Sequence, residues 1–394
     1  MDRRHFLTLL GVMGGAVSLR SWSDDAKFEQ FLKDQNGGFS AYQARLEKDF
    51  NTYLSVTAQE FARYQKRVKA VWGDEQLGNA KVLVSYSQDL KTRTVINYEA
   101  GTVLVETLAA SDSKQAQQEL MRTLIQNAHA DTQSFYANSE LDRAIQASLE
   151  KNTKLNKKAQ LDKKYLIADA LTGKTRPTST EIDAAVLKAS KQATAATQIT
   201  ELGQKVYSLS IPLTATQMHK KADSYRATVT EFAKKEGLNP ALVLAIIHTE
   251  SAFNPMARSP VPAFGLMQIV PTSAGKDASA YVYGKASLLT PSYLYNSENN
   301  IKMGCAYLHI LYFNYLSSIE DSESRLYCTI AAYNTGAGNV ARAFSGNANV
   351  KQAAVLINKM QPSEVYRHLQ VRLPYQETRD YVERVNRRYQ SYLA

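Results

Sequence analysis

Asn239-Pro240-Ala241-Leu242-Val243-Leu244-Ala245-Ile246-Ile247-His248-Thr249-Glu250-Ser251 is the stretch that decides how this chain is read. Asn239 is a helix-capping residue and Pro240 suits a first turn, so the run predicts a helix beginning there. Its body, Leu242 to Ile247, is apolar on every side, and such a helix is buried inside a domain. Phe253-Asn254-Pro255 then stops it. Glu250 stands where this helix emerges, desolvated and facing the negative end of the helix dipole. Both effects oppose ionisation and lift its pKa above the ordinary value of about 4.3. A carboxyl kept protonated near neutrality is a general acid, as cleavage of a glycosidic bond requires at its leaving oxygen. Glutamates at helix ends are mostly exposed surface groups, so Glu250 by itself settles nothing. His248 reads as structural or exposed.

Beyond residue 215 strand signals vanish and helical periodicity dominates. Upstream the character differs. Asp25 to about Val71 has the apolar spacing of a helix, with Phe28, Phe31, Leu32, Leu46, Phe50, Tyr53 and Leu54. Lys81 to Tyr86, Thr94 to Tyr98 and Thr102 to Leu108 are β-branched and aromatic runs that read as a small antiparallel meander. A helix follows around Lys114 to Ala128. Residues 139 to 200 are rich in Lys, Ala and Thr, carry Gly173 and Pro177 as breakers, and read as a polar excursion or irregular connection. Val206 to Leu213 alternates and is expected to return to the meander as a further strand. The expectation is an α+β chain: an N-terminal domain of helices with a small antiparallel sheet, then a mainly α-helical C-terminal domain.

A length of 394 residues suits two domains, each with an adequate core. The 47 Lys+Arg against 37 Asp+Glu give a formal charge of +10, which favours polyanionic surroundings without choosing among cell wall, lipid and nucleic acid. The densest basic stretch, Lys151, Lys154, Lys157, Lys158, Lys163, Lys164 and Lys174, has no nucleic-acid motif or aromatic platform beside it, so no nucleic-acid partner is expected. It reads as a solvated face or a polyanion contact. Cys305 and Cys328 lack the spacing of a metal site, and either a disulfide or two buried thiols fits them. At the N-terminus, Arg3-Arg4 precede a short apolar run from Leu7 to Leu19, a charged region followed by a hydrophobic one. This resembles a twin-arginine export signal, with Asp2 where Ser or Thr is usual, and the run is shorter than the ~20 residues that span a bilayer.

Three further segments join Glu250-Ser251. Gly265-Leu266-Met267-Gln268 sets one amide side chain among apolar residues. Ala332-Tyr333-Asn334 ends a helix before Gly336 and Gly338. Glu377-Thr378-Arg379-x-Tyr381-Val382 lies in a C-terminal helix. These four, in this order, resemble the motifs of the soluble-lytic-transglycosylase-type domain, which has a goose-lysozyme-like fold; the resemblance covers about residues 215 to 390. The upstream half, around Thr94 to Thr107 in particular, resembles the N-terminal domain of the membrane-bound lytic murein transglycosylase C family. The domains expected are therefore 1–26, an export signal; 27–213, an accessory domain of that type; and 214–394, a lysozyme-like catalytic domain. Members of that family usually carry a lipid-modified cysteine after the signal, and none is seen here, which leaves membrane association open for an exported, periplasmic protein.

What the resemblance implies is a lyase that cleaves the MurNAc-β-1,4-GlcNAc bond of peptidoglycan and leaves 1,6-anhydro-MurNAc ends, in cell wall turnover. Its partner would be the glycan strand, and no metal or cofactor is called for. Glu250 would be the catalytic residue, first protonating the glycosidic oxygen and then, as carboxylate, taking the proton of the C6 hydroxyl that attacks C1. Most glycosidases use two carboxylates, but one suffices if the sugar supplies the nucleophile. Transferred position by position, Ser251 would orient Glu250, Gln268 would bind the glycan, and Met267 would form an apolar wall. Tyr333 and Asn334 would line the cleft opposite Glu250, with Asn334 steadying developing charge, and Tyr381 would reach the reacting sugar. Glu377 and Arg379 read as a supporting ion pair. The rivals are a hydrolytic lysozyme on the same fold and a wall-binding protein without catalysis.

Overall fold

A computed structural model describes residues 25–108, 111–152, 161–213, 215–259 and 263–394. The predicted export segment falls almost wholly outside them, as do Lys154, Lys157 and Lys158 of the basic stretch. The chain divides into two compact units, Met1–Asp49 and Phe50–Ala394. In the first, residues 25–49 are helical. The division expected at 213/214 follows sequence character, and in the structure both sides of it lie within the second unit.

The elements run in chain order as α1 (Asp25–Trp72), β1 (Val82–Tyr86), β2 (Thr92–Asn97), β3 (Thr102–Thr107), α2 (Ser113–His129), α3 (Thr132–Asn138), α4 (Glu140–Asn152), α5 (Ala168–Thr172), α6 (Ser179–Ser190), β4 (Thr194–Ile199) and β5 (Lys205–Pro212). Then come α7 (Ala215–Lys235), α8 (Pro240–Ser251), α9 (Ala274–Tyr283), α10 (Pro291–Leu294) and α11 (Ser297–His309), which continues into a π-helical turn, Ile310–Tyr315. The last five helices are α12 (Ser322–Thr335), α13 (Ala337–Ser345), α14 (Val350–Ile357), α15 (Pro362–Arg372) and α16 (Gln376–Leu393).

The five strands form one antiparallel sheet in the order β1-β2-β3-β5-β4. The meander and the returning strand are those expected from alternation. The stretch from 139 to 200 is not an irregular connection. It holds α4, α5, α6 and β4, with Thr178 and Glu181 forming a reciprocal capping box at the start of α6. Helix α2 packs on β3 and β5, and its first turn is capped by Asp112, which accepts from the Gln115 N–H. Trp72 and Val68 of α1 pack on Val206 of β5. The buried Arg93 guanidinium lies 4.2 Å over the Trp72 ring and pairs with Asp74 and Glu106. Gly101 turns β2 into β3 at φ +65°, and a Cβ there would lie 2.6 Å from the Leu213 carbonyl oxygen, so only glycine fits.

Helix α8 is the axis of the helical region. Leu242 to Ile247 are at most 3% exposed, and α7 and α16 pack along it. Asn239 caps it by accepting from the Ala241 N–H, with Pro240 in the first turn, as the sequence predicts. Buried ion pairs fasten the accessory region to it: Lys221 of α7 with Asp169 of α5 at 3.2 Å, and Arg258 with Asp142 of α4 at 3.1 Å. Removing one member of such a pair would strand a buried charge, at about 3–5 kcal/mol. Cys305 and Cys328 are both buried and free. Among the described residues no helix is long and apolar enough to cross a membrane.

Candidate active site

Glu250 lies in the last turn of α8 and is half-buried. Desolvation is the largest influence on its carboxyl and raises the pKa from 4.5 to about 7. The Tyr381 hydroxyl and the charge of Lys81 act the other way, Glu377 adds to the rise, and Arg384 opposes it. The Tyr381 hydroxyl faces Glu250 from α16 without a hydrogen bond of good geometry. Tyr333 of α12 is the third member: its hydroxyl feels the Glu250 charge and donates to the Met267 carbonyl at 2.8 Å. Burial pushes both phenols well above their ordinary range, so they stay neutral donors.

The backbone around Glu250 is unusual. Among the described residues four non-glycine positions have positive φ, and three are here: Ala252 at 48°, Phe253 at 63° and Gln268 at 47°. Such conformations cluster where a surrounding framework holds a functional loop. That framework is visible. Asn300, fully buried on α11, accepts from the Met267 N–H at 2.8 Å and donates to the carbonyls of Phe264 and Leu294, both at 2.8 Å. Gly265 sits beneath it at φ +73°, where a Cβ would lie 2.3 Å from the Leu294 carbonyl oxygen.

The expected site residues divide as follows. Tyr333 and Tyr381 gather with Glu250. Gln268 is half-buried, and its amide nitrogen donates to its own turn at the Gly265 carbonyl, 2.9 Å away. Asn334 accepts from the Thr378 hydroxyl at 2.7 Å, so α16 orients it. Ser251 does not bond Glu250: its hydroxyl is directed to the carbonyls of Leu266 at 2.8 Å and Ile247 at 3.1 Å, fastening the helix end to the Gly265–Gln268 loop. Met267 is no cleft wall. It is fully buried, and its sulfur would lie 2.2 Å from a Cβ placed on Gly304, so it fills core space left by that glycine. The expected Glu377–Arg379 pair is replaced by bonds from Arg379 to Gln376 and to the Leu373 carbonyl; Glu377 is exposed. His248 is structural, with its ring nitrogen 3.1 Å from the Tyr392 hydroxyl and its ring against Phe253.

Two groups escaped the sequence reading. Asn300 is one; its signal is a lone Asn-Ile step facing the core of a helix that otherwise buries Ile301, Met303 and Ala306. Lys81 is the other, and nothing local marks it. It comes from the residue before β1, where the Ala80 carbonyl accepts from Asn254 at 3.2 Å. Lys81 is held by Glu99 at 2.8 Å, Glu99 also binds Arg388 at 2.9 Å, and Arg388 donates to the His248 carbonyl in the last turn of α8. The accessory sheet thus reaches the end of the helix that carries the acid. Among the described residues no cluster of His, Cys, Asp and Glu has the arrangement of a metal site.

A helical domain with one desolvated glutamate at the mouth of its central helix, faced by two neutral phenols, defines the class. In agreement, the family model described as Transglycosylase SLT domain matches residues 227–356, and that of the membrane-bound lytic murein transglycosylase C N-terminal domain matches 47–180. The membrane-bound lytic murein transglycosylase C of Serratia proteamaculans is 34% identical over 350 residues, 88% of this chain and 91% of the relative. That of Yersinia enterocolitica is 31% identical over 392 residues, 99% of each. Among solved structures, the 70 kDa soluble lytic transglycosylase SLT70 from Escherichia coli aligns at 20% identity over 71% of this chain and 34% of that one, with a TM-score of 0.36. The chain belongs to the membrane-bound lytic murein transglycosylase C family.

Proposed function

We propose that this chain is a peptidoglycan-cleaving lytic transglycosylase in which Glu250 serves as acid and then as base. The observation that carries the reading is the carboxyl with a pKa of about 7, raised by burial and faced by Tyr381 and Tyr333. Protonated, Glu250 gives its proton to the glycosidic oxygen between MurNAc and GlcNAc. The C1–O bond breaks with its electrons going to that oxygen. The C6 hydroxyl of the same MurNAc attacks C1, and its proton passes to the Glu250 carboxylate, which restores the acid and closes a 1,6-anhydro ring. Proximity supplies part of the rate because the nucleophile already belongs to the substrate. Tyr381 lowers the pKa of Glu250 and so helps the carboxylate form in mid-reaction. Gln268 and Asn334 are proposed to bind the glycan, Asn334 with its amide set by Thr378.

The relatives are named membrane-bound, which supports a cell-envelope enzyme associated with a membrane; the Arg3-Arg4 segment supports export to the periplasm. A hydrolytic reading has one observation in its favour, the Glu377 carboxylate close enough to raise the pKa of Glu250. Mass spectrometry of muropeptides released from sacculi tests both. The proposal expects anhydro-muramoyl ends, absent with Glu250→Gln. Reducing ends that vanish with Glu377→Gln would establish hydrolysis instead.

A further inference from the structure

Strand β1 has a neighbour on one side only. Its parity is fixed at both ends: the Lys81 carbonyl accepts from the Tyr98 N–H at 3.0 Å, and the Ser87 N–H donates to the Thr92 carbonyl at 2.8 Å. In an antiparallel pair the residues between alternate, so Leu83 and Ser85 turn their peptide groups to β2 while Val82, Val84 and Tyr86 turn theirs away. Val82 is satisfied locally, its carbonyl by the Asn79 N–H and its N–H by the Asn79 side chain. The outward N–H and C=O of Val84 and Tyr86 have no main-chain partner among the described residues.

A cavity of about 800 Å³ lies against the edge, and Val82 to Ser87 all line it. Gly78 packs against the Val82 end of this edge, and a Cβ there would be 3.0 Å from the Val82 oxygen and 3.4 Å from the Val84 nitrogen, so a larger residue would crowd the edge further. The cavity carries four arginines against three carboxylates. Arg67 pairs with Glu140, Arg122 with Glu119 and Arg258 with Asp142, while the exposed Arg143 is in none of these pairs.

We infer that the free edge of β1 docks the peptide stem of the substrate, which adds as an extended strand along Val84 and Tyr86 while its sugar lies at Glu250. This rests on the reading of the substrate as peptidoglycan. Two matches support it. One is reach: the stretch from Lys81, whose charge acts on Glu250, through β1 to Ser87 spans about 20 Å at ~3.3 Å per residue, against about 13–17 Å for a stem of four or five extended residues joined to the muramoyl sugar. The other is charge: stem peptides carry free carboxylates, and Arg143 is the cation left over. Pairing of an extended peptide with a sheet edge draws its affinity from main-chain hydrogen bonds, and an uncovered edge is otherwise a liability that folded chains blunt.

The test uses the Glu250→Gln protein, which holds ligand uncleaved, with two probes: a GlcNAc–MurNAc unit bearing a four-residue stem, and the same disaccharide without peptide. Amide hydrogen exchange followed by NMR should slow at Val84 and Tyr86 about tenfold, the order expected from two new main-chain bonds, with the stem-bearing probe alone. Equal exchange with both probes, or equal affinity for both, overturns the inference. In the active enzyme, KM for stem-bearing strands should be about tenfold below that for amidase-stripped strands, and Gly78→Ala and Arg143→Glu should each shrink that ratio. Should Gly78→Ala fail to fold, Arg143→Glu on the surface carries the kinetic arm. A wild-type enzyme that cleaves both strands with one KM refutes the stem site and leaves the transglycosylase reading intact. An enzyme that cleaves neither sinks that reading, while the exchange experiment still decides the stem site.

Discussion

Replacing Glu250 by Gln should change the stability of the protein in a pH-dependent way, apart from any effect on catalysis. The carboxyl has a folded pKa of about 7 against 4.5 in the unfolded chain. A carboxyl raised by folding binds its proton more tightly in the native state, so its contribution to stability is whole below about pH 4.5 and is lost as pH rises towards 7 and beyond. A shift of this size corresponds to about 3 kcal/mol at ~1.4 kcal/mol per pH unit. Between pH 5 and pH 8, and discounted for the partial exposure of Glu250, about 2 kcal/mol remains. Glutamine keeps the shape and cannot ionise. Thermal unfolding of both proteins at the two pH values should therefore find Glu250→Gln gaining about 3 °C on the wild type between pH 5 and pH 8. Any constant offset from altered hydrogen bonding cancels in that difference. A Tm gap that is the same at both pH values would mean that Glu250 is solvated like a surface carboxylate, and the argument for a poised acid would be refuted.

Kinetics should report the same group: kcat/KM on sacculi should fall tenfold per pH unit above about 7, as the acid form is depleted, and a flat profile to pH 9 would exclude Glu250 as the proton donor. Tyr381→Phe removes a group that lowers the Glu250 pKa, so the midpoint of that fall should move to higher pH; a move downward would contradict the contact. Lys81→Met should displace the midpoint in the same direction, and its failure to do so would show that the accessory sheet has no electrostatic hold on the acid. Gly265→Ala should destabilise by about 3 kcal/mol or more, from a positive φ together with a Cβ driven into the Leu294 carbonyl, and calorimetry showing less than about 1 kcal/mol would refute the close packing described.

The parts of the fold that the sequence makes legible are those with strong local signals. Asn239-Pro240 and the apolar run after it mark α8, and β-branched alternation marks β1, β2, β3 and β5. Strand β4 is illegible because Thr194 to Ile199 is exposed throughout and belongs to the sheet only by pairing with β5. In the site, Glu250 was readable from the end of a buried helix. The roles of Ser251 and Met267 were not, since a motif names residues without saying which way they point: one hydroxyl turned to Leu266, and one thioether filled the space over Gly304. Lys81 lies some 170 positions from Glu250 in the chain, and only the docking of the sheet at Asn254 brings them near.

Two of the three bonds from Asn300 grip the Phe264–Met267 turn, solely through peptide atoms, and the third ties it to the Leu294 carbonyl. A replacement at Gln268 that recognises a differently decorated sugar must tolerate the left-handed backbone there, at φ +47°, and do without the bond to the Gly265 carbonyl, whereas Asn300 and Gly265 must persist for any such variant to keep its outline.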